Sequence, residues 1–171
     1  MPRAVAIRDE AAPDRAGVRQ VNERAFGQPA EADLVEALHR AGAAVISLVA
    51  EVDGQIVGHI LFSPVTVEPH AGKRLLGLAP MAVDSEWQGR GMGSELIRAG
   101  LARATEAGYD GVVVLGHTTY YPRFGFRPAA EFGLGCEYDA PPEAFMAVAL
   151  PGRSLDGVHG LVRYHQAFGQ V

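Results

Sequence analysis

The chain has 171 residues, 48% of them hydrophobic and 20% charged, with a formal net charge of −5. That length fits one domain with a core of its own, and the acidic balance, the scattered arginines and a single lysine, Lys73, argue against nucleic acid as a main partner. The lone Cys136 excludes an intramolecular disulfide or a cysteine zinc cluster and fits a reducing, cytoplasmic setting; no apolar run of ~20 residues marks a membrane span, and the N-terminus has no signal-peptide pattern.

In chain order, Ala4–Arg8 alternates weakly and reads as a short strand. Asp14 is placed to cap a helix running to about Phe26, with Val18, Val21, Asn22 and Ala25 at helical spacing. Gly27 and Pro29 break it, and a second helix over about Glu31–Ala41 puts Leu34, Val35, Leu38 and Ala41 on one face. The period then changes. Val45–Val52 is apolar and β-branched, Asp53-Gly54 is a two-residue hairpin turn, and Gln55–Phe62 is the return strand, which Pro64 is expected to end or bend, with Val65–Glu68 as its extension if it is only bent. His70-Ala71-Gly72 reads as a second turn and Arg74–Val83 as the next strand.

A helix from about Gly91 to Ala107 follows, with Met92, Leu96, Ile97, Gly100, Leu101 and Ala104 as its apolar stripe and Gly108 as its stop. Residues 111–115, GVVVL, have the continuous apolar character of a strand buried on both faces. A helical turn over Thr119–Phe124 and a strand over Phe145–Leu150 complete the regular elements, while residues 157–168 suit either helix or strand. The order predicts one mixed α/β (α+β) domain over residues 1–171.

The stretch EWQGRGMGSELI, residues 86–97, holds the chemistry. Gly89, Gly91 and Gly93 stand at alternate positions between a strand and a helix. A helix N-terminus offers amides and the positive end of its dipole to an anion, and glycine lets the backbone come close to phosphate oxygens. The dinucleotide fingerprint fails, because Ser94 stands where it needs glycine. The Walker loop fails because 93–95 is Gly-Ser-Glu. A plain flexible turn is the competing reading.

MAVDSEWQGRGMGSELI resembles the acyl-CoA signature of the GNAT superfamily of N-acyltransferases, Gln/Arg-x-x-Gly-x-Gly/Ala, here Gln88-Gly89-Arg90-Gly91-Met92-Gly93. LAPMAV, residues 78–83, resembles that family's pantetheine-binding strand. TYYPRFGF, residues 119–126, resembles its Tyr-x-x-x-Gly-Phe motif, and VGHILFSPV, residues 57–65, is similar to a branch of bacterial members. The resemblance implies a mostly antiparallel, twisted sheet whose two central strands, Arg74–Val83 and Gly111–Leu115, splay apart around acyl-CoA, with a bulge near Pro80–Met81.

The activity implied is direct transfer of an acetyl group from acetyl-CoA to a primary amine on a small molecule or peptide. A non-catalytic acyl-CoA sensor, or a nucleotide phosphate site on another fold, is the alternative. By the resemblance, Met81, Ala82 and Val83 pair with the pantetheine arm. Gln88, Gly89, Arg90, Gly91, Met92, Gly93 and Ser94 hold the diphosphate, with Arg90 either a charge contact or a solvated turn residue. Tyr121, four residues before Gly125, is the acid for the leaving thiolate. His117 is the base candidate, with Glu86, His59, Glu51 or a water relay as the others. Metal is not expected, since His159 and His165 lack helical ligand spacing and a carboxylate cluster. Nor is a membrane or nucleic-acid partner, while homodimers are common in the family.

Overall fold

The structure, a computed structural model, describes residues 4–69 and 72–170, so the turn expected at His70-Ala71-Gly72 lies mostly outside the described residues. In chain order the elements are β1 (Ala6–Asp9), α1 (Arg15–Phe26), α2 (Ala30–Arg40), β2 (Ile46–Val52), β3 (Gln55–Pro69), β4 (Leu75–Val83), α3 (Met92–Glu106), β5 (Gly111–Leu115), β6 (Arg127–Pro128), β7 (Leu134–Cys136), β8 (Phe145–Ala149) and β9 (Gly160–Arg163). The strands hydrogen-bond in the order β1-β2-β3-β4-β5-β8-β6, and β9 joins β3 to β7. The pairing is mostly antiparallel, while β4 with β5 and β7 with β9 pair in parallel. The chain packs as two compact units, which β3, β4 and α3 connect by passing from one into the other.

The first unit comprises the described residues of Met1–Phe62, Ala79–Gly100 and Gln166–Val171. Its sheet is built on the β2–β3 hairpin, whose turn has Asp53 at φ 50° and Gly54 at φ 78°, the left-handed pair that an Asp-Gly turn supplies. The apolar spacings of both N-terminal helices meet this sheet: Val18, Leu34, Val35, Leu38, Val49 and Leu61 share one cluster. On α3, Leu96 and Met92 lie against Gly58, and Gly100 leaves room for the Phe62 ring. Asp14 stands at the helix start but does not cap it. Its carboxylate accepts the Ala11 amide at 2.7 Å and pairs with Arg8, whose guanidinium also reaches Glu51 at 2.8 Å. Those bonds hold Asp14 down at a pKa of about 2.

A buried polar chain crosses this unit. Asn22 Nδ2 lies 3.2 Å from His59 Nδ1, and His59 Nε2 lies 2.8 Å from Ser47 Oγ. Ser47 donates at 2.6 Å to Glu10 Oε1, which also meets His39 Nε2 at 2.9 Å. Because the serine proton goes to the carboxylate, His59 must donate from Nε2 and accept at Nδ1.

The second unit comprises the described residues of Ser63–Leu78 and Leu101–His165. β5 is its central strand, paired with β8 over its whole length and with β4 through Leu75↔Gly111, Leu76↔Val112 and Gly77↔Val113, where that register ends. Val112 and Val113 are fully buried, as the apolar run requires. Val65, Val67, Leu75, Val113, Phe145 and Val162 are among its core. β3 does not stop at Pro64: it runs on to Pro69. Its ladder with β2 ends at Ile46↔Phe62 and its ladder with β9 starts at Thr66↔Arg163, so on that side the proline falls in a gap where no donor is needed. The ambiguous tail becomes β9 followed by a 3₁₀ turn at Gln166–Gln170.

Candidate active site

In the first unit the strand, the loop and the start of α3 form one continuous segment. Along β4, Pro80 and Ala82 are buried while Ala79, Met81 and Val83 are half-buried, the alternation of a strand with one open face. The Ala79–Pro80 peptide is cis. A 3₁₀ turn, Ser85–Trp87, leads out of the strand. The Gln88 side chain folds back and donates to the Val83 carbonyl at 3.0 Å, fastening the loop to the strand end.

Gly89 and Gly91 take φ of 75° and 80°, and nothing lies within 4 Å of where a Cβ would project at either. The α3 ladder opens with the Glu95 amide donating to the Gly91 carbonyl at 3.0 Å. The amides of a helix's first turn precede its hydrogen-bond ladder and point out of its N-terminal end. The glycines thus leave open space beside the backbone at the positive end of a 15-residue helix. The Met92 side chain is in the core at 3% exposure, so only its main chain belongs to the loop. Arg90 is exposed and lies 5.0 Å over the Trp87 ring, a cation–π stack that holds it at the loop surface.

In the second unit, His117 and Tyr121 lie at the two ends of one tight turn after β5: the His117 carbonyl accepts the Tyr120 amide at 3.2 Å and the Tyr121 amide at 3.3 Å. His117 is exposed. Tyr121 is 7% exposed, with edge-on contacts to Tyr120 at 5.3 Å and Phe126 at 5.7 Å. Burial, and then Tyr120, push its hydroxyl up to a pKa of about 12. Gly116 makes room for this ring: a Cβ there would lie 2.5 Å from Tyr121 Cε2.

Of the other base candidates, His59 and Glu51 are already engaged. His59 is fully buried, both ring nitrogens have partners, and burial followed by His39 depresses its pKa to about 3. Glu51 is paired with Arg8. Glu86 is exposed and, with Asp14, Asp84 and Arg24, borders an open polar cavity of about 640 Å³ in the first unit. Among the described residues, no group of three His, Cys, Asp or Glu side chains could hold a metal ion, and no helix is long and apolar enough to cross a membrane. Sequence reasoning passed over Gly116 and Trp87. An isolated glycine closing an apolar strand is a signal for close approach of another group, and Gly116 is one.

The chain is similar to known acetyltransferases. The family model of the GNAT acetyltransferase domain matches residues 43–128. The uncharacterised N-acetyltransferase YhbS of Escherichia coli K12 is 40% identical over 167 residues, 96% of this chain and 98% of its own. The crystal structure of E. coli YhbS in complex with CoA superposes with a TM-score of 0.93 at 38% identity, covering 99% of this chain and 94% of that one. A GNAT acetyltransferase from Brucella melitensis, crystallised with acetyl-CoA, gives 0.80 at 40% identity, covering 96% and 98%. With one relative matched over nearly the whole of both chains and a family model spanning the loop and the Tyr121 turn, this chain belongs to the GNAT acetyltransferase family.

Proposed function

We propose that this protein transfers the acetyl group of acetyl-CoA to a primary amine by direct attack. The observation that carries the reading is the loop ahead of α3, where left-handed Gly89 and Gly91 leave open the space in which a Cβ would sit. That cradle fits a diphosphate: the amides from Gly89 to Ser94 lie along it, and Gln88 fixes it to β4. Arg90, stacked on Trp87, adds a cation beside the loop. The relatives crystallised with CoA and acetyl-CoA support the same ligand.

Acetyl-CoA, when bound, supplies an activated acyl thioester. The half-buried face of β4 gives its arm an open strand, with Met81 and Val83 offering backbone groups and Ala82 held in the core. The Met81 N–H is the donor we assign to the thioester oxygen, a role worth ~3 kcal/mol in comparable sites. Tyr121 is the group we assign to the leaving sulfur, as the resemblance implies. With its pKa at about 12, the phenol stays protonated throughout the working pH range. Complete proton release to a thiolate of pKa ~8.5 is uphill, so its main service is a hydrogen bond that strengthens as charge builds on sulfur. His117, exposed at the other end of the same turn, is the group we assign to take the ammonium proton.

Trp87 is the only tryptophan in the chain and lies beside the loop, so its fluorescence reports binding. Titration with CoA is expected to change that emission saturably. Thiol release from acetyl-CoA is expected to depend on an added amine, chosen from a panel of polyamines, amino acids and peptides. Tyr121→Phe should lower that release by ~100-fold while CoA affinity holds. Absence of binding would overturn the proposal at its base; binding without amine-dependent release would reduce the protein to an acyl-CoA sensor.

A further inference from the structure

We propose that Arg90, presented on the ring of Trp87, binds the 3′-phosphate of coenzyme A and so makes the protein distinguish that ligand from its dephosphorylated form. The proposal rests on the reading that the glycine loop holds the diphosphate.

Both side chains belong to one short segment of the first unit. Gln88, Gly89, Arg90 and Gly91 are exposed, whereas Trp87 is half-buried. The indole has a firm mount. The Trp87 amide donates to the Asp84 carbonyl at 2.8 Å, which closes the 3₁₀ turn at the end of β4. Asp84 is itself tied down, its amide donating to the Val57 carbonyl at 2.8 Å and its carboxylate accepting from Arg24 at 3.0 Å. The Arg90 guanidinium, 5.0 Å over that ring, therefore rests on a fixed surface and not on a free loop.

Other arginines of this unit are neutralised by carboxylates: Arg8 by Asp14 and Glu51, Arg19 by Asp33 and Glu36, Arg24 by Asp84. Arg90 is not. Glu86 and Glu95 are close to it in sequence and exposed, yet among the described residues no carboxylate pairs with it. An indole face orients a guanidinium without cancelling its charge, so the full charge and the five N–H donors stay available to an anion. The loop amides answer one anionic group of the ligand, the diphosphate. Coenzyme A carries a second, the phosphate on the ribose C3′, which is largely dianionic at neutral pH. Only a ribose separates the two groups, a span similar to the length of an arginine side chain. Arg90 has its main chain between Gly89 and Gly91 and its head carried outward to Trp87. It is thus anchored at the first anion and aimed beyond it, and its planar fork suits phosphate oxygens. Glu86 and Glu95, exposed on either side in sequence, disfavour a dianion there unless a cation meets it.

The test is a set of calorimetric titrations with CoA and 3′-dephospho-CoA as probes. The wild-type protein is expected to bind CoA at least ~10-fold more tightly. Arg90→Gln should bring CoA down to the affinity of dephospho-CoA and leave dephospho-CoA where it was. Trp87→Leu, which keeps the cation and removes its mount, should narrow the gap without closing it. Equal affinity of the wild-type protein for the two probes overturns the inference without any variant having to fold. So does an Arg90→Gln protein of native circular dichroism that loses affinity for both probes alike, since the arginine would then serve the diphosphate. A gap of full size in Trp87→Leu overturns the part given to the ring. Failure of both probes to bind would instead sink the underlying reading of the loop, and this inference with it.

Discussion

Glycine does opposite things in two regions of this molecule. At Gly89 and Gly91 the backbone is left-handed and the space beside it is open. At Gly77 and Gly116 no left-handed φ is involved, and the space is already filled by the rings of Tyr164 and Tyr121. The first pair supplies a conformation, the second supplies volume. An added methyl group is therefore felt through the chain's torsions in one region and through a neighbour's side chain in the other.

This contrast yields predictions of decreasing size. Gly116→Ala would push the Tyr121 ring from its seat, and since ~1 Å of misplacement can cost ~100-fold, turnover should fall by about that much while CoA affinity, read at Trp87, changes little. Loss of affinity instead would mean the two regions are not separable. Gly77→Ala should destabilise by about 1–3 kcal/mol through overpacking, measured by urea denaturation, and a companion Tyr164→Leu change should recover part of that loss. Gly89→Ala or Gly91→Ala should cost ~1 kcal/mol each in stability through φ alone, together with ~10-fold in CoA affinity, and no neighbouring truncation should rescue either. Rescue at Gly89 would break the distinction.

A pH experiment sharpens it further. The Tyr121 hydroxyl ionises near ~10 in the unfolded chain and at about 12 in the fold, so burial favours its neutral form. Its contribution is complete below pH ~10 and is lost as pH rises toward 12, at most ~2–3 kcal/mol. The urea midpoint of the wild-type protein should drop over that interval, and Tyr121→Phe should flatten the drop. An unchanged slope would place the raised pKa elsewhere.

Much of this architecture was legible in the residues. The helices announce themselves by Val18, Val21 and Leu34, Val35, Leu38 at helical spacing, the hairpin by Asp53-Gly54, and the central strand by its valine run. What stayed hidden depends on partners distant in sequence. Pro64 is a stop signal read locally, but it falls between two ladders, one of them to a strand almost a hundred positions onward. Residues 160–163 become a strand because β3 and β7 flank them, and nothing in GVHGLVRY specifies that. Asp14 has the right type and place for a cap, yet Arg8 and the Ala11 amide claim its carboxylate. For the site, the glycine loop and Tyr121 were readable as a motif. The ring contacts of Gly116 and Gly77 were not, because which glycine a ring will cover is decided by packing rather than by the local run of residues.

The buried chain from Asn22 through His59 and Ser47 to Glu10 has a consequence for sequence drift. Its links all run one way, toward the carboxylate, so the four positions share a single grammar. An exchange that keeps the sense of each link, such as glutamine for His59, leaves a readable sentence. One that reverses a link sets two hydrogens or two lone pairs face to face in a dry interior, and is tolerable only when its neighbour changes as well.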